Sequence, residues 1–252
     1  MRIACWFSMV CLAVATAVAQ NAPASHAPDR NGWTNTEGIL IPPIPGAAFM
    51  AHSTLVIKTV LPNGATIQRQ ATMAIARDSM GRVYHEQRRV VPMSDQSQES
   101  PLLATIVFDG QEGTRTECDQ VQRLCTITSG RAPQPQPSAP EGASKDGKFT
   151  LSRVTIGSET MEGVEVQHIR EKRTYAAGVI GNDKPVAFVV DYWYSPLLQL
   201  DLAILRSNPQ GTTMFERVTD LNLSEPEEGW FKLPPGFLVA DARKRVVAPD
   251  AK

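Results

Sequence analysis

Residues 61–88 read LPNGATIQRQATMAIARDSMGRVYHEQR, and this stretch decides the fold class. Two turn signals divide it. Pro62-Asn63-Gly64 is a hairpin signal, because an Asn-Gly pair accepts positive φ at both central turn positions. Asp78-Ser79-Met80-Gly81 is the second. Between them Ala65 to Arg77 reads as a strand. A long strand over Ala47–Leu61 precedes it, and a third over Arg82–Val91 follows. The three form a meander.

The same punctuation continues downstream. Pro92–Pro101 is a polar loop, and Leu102–Phe108 (LLATIVF) is a compact, apolar strand. Phe149–Ile156, Val164–Tyr175, Val186–Tyr194, Leu198–Arg206 and Thr212–Leu223 are further strand candidates. The clearest is LQLDLAILR. Period two puts Leu198, Leu200, Leu202 and Ile204 on one side and Gln199 and Asp201 on the other. That is a sheet with one apolar and one wet face.

Helical periodicity is scarce. The best helix start is Ser224-Glu225-Pro226-Glu227-Glu228, with a capping side chain, an early proline and acids at the positive end. Pro234-Pro235-Gly236 closes it. The expected fold is mainly β, α+β at most. It is a single curved antiparallel sheet or unclosed β-barrel of about ten strands, with one or two short helices.

The chain opens with an export signal over residues 1–19: Arg2, an apolar run from Ala4 to Val14, and Ala17-Val18-Ala19 as the cleavage motif, leaving Gln20 as the new N-terminus. The apolar run is shorter than the roughly 20 residues a spanning helix needs. Cys11 follows Val10 inside that run, which argues against lipidation. No later segment is long and apolar enough to cross a bilayer, so the mature chain is expected to be soluble, in the periplasm or outside the cell.

Residues 20–46 read as a flexible, Pro-containing leader. Its Ile39–Pro45 segment (ILIPPIP) is extended and packed against the domain. Residues 47–239 form the β-rich domain, with an exposed Pro-rich loop at 131–148, and 240–252 a charged tail. Apolar residues make up 42% of the 252, as in a globular chain. The formal charge of −1 and the lack of a basic cluster exclude nucleic acid as a partner.

Cys5 and Cys11 leave with the leader. Cys118 and Cys125 flank the polar DQVQRL, which predicts a hairpin disulfide in an oxidising compartment. His26, His52, His85 and His168 are scattered, so no metal site is expected, nor any cofactor. No catalytic set emerges. Ser158, in TIGSETMEG, lacks the nucleophile-elbow spacing and reads as a turn residue. His85-Glu86 has no second histidine four residues on. Asp191 reads as a solvent-facing strand acid. Arg69, Arg77, Arg82, Arg88 and Arg89 read as a solvated sheet face rather than a basic stripe. Tyr192-Trp193-Tyr194 reads as strand-forming rather than as a stacking platform.

The binding candidate is an apolar wall. Val186, Phe188, Val190 and Tyr192 share one face by period two, and so do Leu198, Leu200, Leu202 and Ile204. Ser195-Pro196-Leu197 is short enough to set the two stripes side by side. An open wall of this kind could take an acyl chain at about 0.8 kcal/mol per buried methylene. The competing expectation is that Ile39–Pro45 and short helices fill the space.

Residues 61–88, with GVEVQHIREKRTYAAGVIGNDKPVAFVVDYWYSP (163–196) and LAILRSNPQGTTMFERVTDLNLSEPEEGWFKLPPGF (202–237), resemble an uncharacterised family of exported bacterial β-rich proteins. These share a strand, NG turn, strand, RDSxGR turn, strand layout. The resemblance spans Ala47 to Val239 and carries no assigned activity. The ending more weakly resembles the LolA, LolB and RseB type of lipoprotein-binding protein, at Glu225, Pro226, Phe231, Pro234 or Pro235, Gly236 and Phe237. That resemblance implies a strongly curved sheet whose apolar concave face holds acyl chains. The usual long N-terminal helix is missing, and Ile39–Pro45 stands in its place. The implied function is a non-enzymatic envelope module binding a lipid, lipoprotein or apolar peptide. The alternative is a structural or protein-interaction domain with no small-molecule ligand.

Overall fold

A computed structural model describes residues 39–93, 100–130 and 139–243. Residues 1–19, read above as an export signal, and part of the Pro-rich loop lie outside these residues. The described chain forms β1 (Phe49–Val60), β2 (Thr66–Arg77), β3 (Val83–Arg88), β4 (Val91–Pro92), β5 (Leu102–Asp109), β6 (Thr114–Asp119) and β7 (Leu124–Ser129). These are followed by β8 (Gly142–Ala143), β9 (Phe149–Met161), β10 (Val164–Tyr175), β11 (Val186–Ser195), β12 (Leu200–Ser207), β13 (Thr212–Asn222) and β14 (Leu238–Asp241).

All fourteen belong to one unclosed, curved sheet, ordered β14-β7-β6-β5-β3-β2-β1-β13-β12-β11-β10-β9-β8, with β4 on the flank of β2. The count exceeds the ten or so expected. β4, β8 and β14 are only two to four residues long, too short for any periodicity to reveal. One pair is parallel: β14 runs alongside β7, so the region from Ala240 onward begins inside a strand.

The turns follow backbone chemistry, with one exchange of roles. At residues 61–65 only Gly64 has positive φ, +82°. Leu61 N–H donates to Ala65 O at 2.8 Å and Gly64 N–H to Leu61 O at 2.8 Å. Asn63 does not take positive φ, so the link is a three-residue turn closed by a left-handed glycine, not the two-residue turn expected. Asn63 contributes its side chain instead, accepting from Ala65 N–H at 3.0 Å. The primed two-residue turn occurs at Glu162-Gly163, with φ of 49° and 80°. β9 therefore runs on to Met161, and Ser158 lies in a strand opposite Gln167 rather than in a turn.

Four register shifts interrupt period two among the described strands, and two of them bear on the site. His168 pairs with Gly157 and Ile169 with Thr155, leaving Ile156 as the extra residue of β9. Trp193 pairs with Ala203 and Tyr194 with Asp201, which makes Leu202 the extra residue of β12. β12 begins at Leu200, so Leu198 belongs to the preceding turn. Of the two residues expected on its wet face, Gln199 is exposed but Asp201 is not. Asp201 is 5% exposed, and every residue from Leu200 to Ile204 is buried, because β12 lies well inside the sheet.

The core gathers Phe49, Ala51, Ile75, Val83, Phe108, Tyr192, Ile204 and Val218 under Ile39 and Ile41 of the entering segment. That segment takes the place of a covering helix. Arg77 fastens it. Fully buried, Arg77 donates Nε to Ala47 O, Nη1 to Pro42 O and Nη2 to Leu198 O, each at 2.8 Å. Its guanidinium lies over the Phe49 ring, 5.2 Å from the centroid. Desolvation pulls its pKa down to about 10. Gly81 is required where the segment crosses the second turn. Its φ is +88°, and a Cβ there would lie 3.1–3.2 Å from the Pro43 and Ile44 backbone.

The helix expected from Ser224 does not form. Glu225 accepts Ser79 N–H at 3.1 Å and Ser79 Oγ–H at 3.0 Å. Glu228 accepts Arg82 Nη1 and Nη2 at 3.0 and 2.7 Å. The acids that would have favoured a helix N-terminus are spent on the turn beneath, and only Glu228–Phe231 winds into a 3-10 turn. Trp230 meets Tyr84 edge-on at 5.1 Å, and Arg82 covers the Phe231 ring at 4.5 Å. On the β6–β7 hairpin, Cys118 and Cys125 are disulfide-bonded directly across the strands.

Candidate functional site

Residues paired across a sheet project from the same face, so the registers sort the core face into rows. The first row is Phe149, Tyr175, Val186, and the second Leu151, Arg173, Phe188. The third runs Arg153, Glu171, Val190, Arg206, Met214, Ile57. The fourth, Thr155, Ile169, Tyr192, Ile204, Glu216, Leu55, enters the core.

The eight residues of the expected wall divide along these rows. Val190, Tyr192, Leu198, Leu200, Leu202 and Ile204 are at most 8% exposed and belong to the packed core. The bulge at Leu202 also splits the stripe. Leu200 pairs with Ser195, whereas Ile204 pairs with Tyr192, so by register the two lie on opposite faces. Val186 and Phe188 alone remain half-buried.

These two join residues the sequence reading did not select. Phe149 and Tyr175 are half-buried, with ring centroids 5.9 Å apart; Tyr175 meets Phe188 edge-on at 5.7 Å. Arg173 lies over the Phe149 ring at 5.0 Å. Its Nε is buried with no hydrogen-bond partner among the described residues. Below this aromatic ledge runs the charged third row, where Arg153 Nε donates to Glu171 Oε1 at 2.6 Å. The core face is thus layered: packed core, charged row, open aromatic ledge. Phe149 and Tyr175 carried a signal of their own, as aromatic residues at the facing ends of two consecutive strand candidates.

The opposite face carries a polar network. Asp191, expected in solvent, is 4% exposed and accepts His168 Nε2 at 2.8 Å and Arg170 Nε at 2.8 Å. Trp193 stacks on His168 at 4.4 Å and donates Nε1 to Glu159 Oε1 at 2.5 Å. The network joins β9, β10 and β11. Among the described residues its hydrogen bonds join only His168, Arg170, Asp191, Trp193 and Glu159.

The arginine residues do not form one solvated face. Arg77 is buried, Arg82 is paired with Asp78 and Glu228, and Arg88 with Glu86. Arg88 and Glu86 line a cleft of about 250 Å³ with His52, Gln70, Thr72, Ala74 and Ser100. It opens where β2 leaves β3 at Ile75 and takes up β4 at Gln70. Glu86 Oε2 there accepts Ala74 N–H at 2.9 Å in place of a neighbouring strand. Burial pushes the His85 pKa down to about 4, so that ring is neutral near pH 7. Among the described residues no group of three or more His, Cys, Asp or Glu is placed to hold a metal ion, and no helix is long and apolar enough to cross a membrane.

No family model and no curated protein matches this chain. Solved structures do. One chain of the Pseudomonas aeruginosa MucA/MucB complex is 14% identical, with a TM-score of 0.36, over 74% of this chain and 56% of that one. The Mycobacterium tuberculosis lipoprotein LppX is 9% identical, with a TM-score of 0.30, over 72% and 90%. A LolA superfamily protein from Nitrosomonas europaea is 10% identical, with a TM-score of 0.26, over 75% and 91%. This chain therefore spans little more than half the length of the first.

Proposed function

We propose that this protein is a non-enzymatic binding module of the cell envelope that holds a hydrophobic ligand, a lipid, lipoprotein or apolar peptide, on the ledge formed by Phe149, Tyr175 and Phe188. The observation that carries this reading is the presence of three half-buried aromatic rings, joined through Tyr175, at one end of an otherwise filled core face. Aromatic side chains offer large apolar area at little conformational cost. Val186, Met214 and Ile57, also half-buried on that face, extend the surface. Export, with cleavage near Ala19 and release into the periplasm or medium, belongs to the same proposal. The Cys118–Cys125 disulfide is consistent with such an oxidising compartment.

A second reading has its own support. Six of the eight expected wall residues are consumed by the core, as in an envelope domain that interacts through other surfaces and holds no small ligand. Titration of a fluorescent fatty-acid probe separates the two. The wild type should bind the probe, and Phe188→Ser should weaken binding about tenfold or more, since a buried aromatic side chain contributes about 1.5–3 kcal/mol. Circular dichroism should remain unchanged. Absence of probe binding by the folded wild type leaves the interaction-domain reading standing.

A further inference from the structure

We infer that the ledge selects a ligand whose apolar chain ends in an anion, a fatty carboxylate, and that Arg173 is the residue that recognises the charge. The inference rests on the proposed hydrophobic-ligand reading and specifies its chemistry. Arg173 and Arg153 lie in the second and third rows of the core face, with the carboxylate Glu171 beside them. Arg153 is committed to Glu171. Among the described residues Arg173 lies against the face of Phe149, and its buried Nε lacks a hydrogen-bond partner.

An unmet buried guanidinium N–H is costly, and a carboxylate is the acceptor that best matches its planar fork. Arg173 pairs directly with Phe188 and is flanked along β10 by Tyr175. A carboxylate seated on it would therefore leave the attached chain against the aromatic rings. A neutral amphiphile of the same length would gain the apolar contact but not the charge-assisted hydrogen bonds.

The test is calorimetric titration of the purified full chain with dodecanoate and, separately, dodecanol, which differ in headgroup and not in chain length. The wild type should bind dodecanoate about tenfold more tightly, the factor one charge-assisted hydrogen bond supplies. Arg173→Gln should make the two affinities equal by weakening dodecanoate alone. Arg173→Lys, which keeps the charge, should retain most of the preference. Equal wild-type affinities, or a preference untouched by Arg173→Gln in a folded variant, would overturn the inference while leaving the hydrophobic-ligand reading intact. Binding of neither compound would overturn both. The wild-type comparison decides the matter even if the glutamine variant fails to fold.

Discussion

Ile39 and Glu216 stand 177 residues apart in the chain, yet Ile39 N–H donates to Glu216 Oε1 at 3.0 Å in a buried setting. Ser53 Oγ–H donates to the same oxygen at 2.6 Å. One carboxylate thus pins the entering segment to β13 and β1 together. It sits in the row that begins the core, so removing it strands two buried donors. Glu216→Ala should lower unfolding free energy by about 3 kcal/mol, and Ser53→Ala by about 1 kcal/mol. Urea unfolding midpoints should rank the two in that order; a larger loss for Ser53→Ala would contradict this assignment.

Arg77 offers a sharper case. Its three donors satisfy two carbonyls of the entering segment, Pro42 and Ala47, and one of the turn before β12, Leu198. Arg77→Lys keeps the charge but loses the planar fork. Arg77→Met loses every hydrogen bond. Both should destabilise, the methionine variant by about 3 kcal/mol or more because three carbonyls are left in a dry interior. Hydrogen exchange should show residues 39–47 opening first. Uniform loss of protection across the sheet would argue against a local fastening role.

The neutral His85 sets a pH window. Its folded pKa is about 4, below the ordinary 6.5, owing first to burial and then to Arg115. The unfolded chain therefore binds the proton more readily, and protonation draws the equilibrium toward it. The contribution of His85 to stability is present above pH 6.5 and is lost as pH falls toward 4. The loss across that window should be about 2 kcal/mol after allowance for partial exposure. His85→Gln should flatten this part of the pH–stability curve relative to wild type. An unchanged slope would show that His85 is protonated in the folded protein.

Two glycines with the same backbone conformation should respond differently. Gly64 has φ of +82° and open space around its missing side chain, whereas Gly81, at +88°, faces the Pro43 and Ile44 backbone at 3.1–3.2 Å. Asparagine tolerates the left-handed region. Gly64→Asn should therefore cost under about 1 kcal/mol and Gly81→Asn about 2 kcal/mol or more. Thermal unfolding of the two variants provides the comparison, and equal shifts would mean that the packing against Gly81 yields without cost.

Most strands were legible because glycine, proline and asparagine punctuate them locally. Val164–Tyr175 appears with the same bounds in sequence pattern and structure. What could not be read is what distant pairing decides. The bulges at Ile156 and Leu202 arise from register against neighbouring strands, and the second removes the stripe that LQLDLAILR advertises. The acids after Ser224 carry sound helix-start chemistry, yet Ser79 and Arg82, far away in the chain, claim them. Asp191 and Arg77 look like surface charges until their partners are known. Of the ledge, Val186 and Phe188 were visible from period two. Phe149, Tyr175 and Arg173 become neighbours of these two only once β9, β10 and β11 are in register.

The extra residue at Ile156 also governs how this molecule meets others of its kind. Among the described residues β8 covers β9 only at Thr150 and Leu151, so most of a thirteen-residue strand borders solvent, with Val154 and Ile156 about half exposed. A straight margin of that length would template a visiting strand and seed aggregates. Here Glu141 already accepts the Arg153 N–H at 3.4 Å, and a few residues on, the bulge throws the ladder out of step. A foreign chain could match one half of β9 or the other, but not both, so the bulge works against extension of the sheet along this edge.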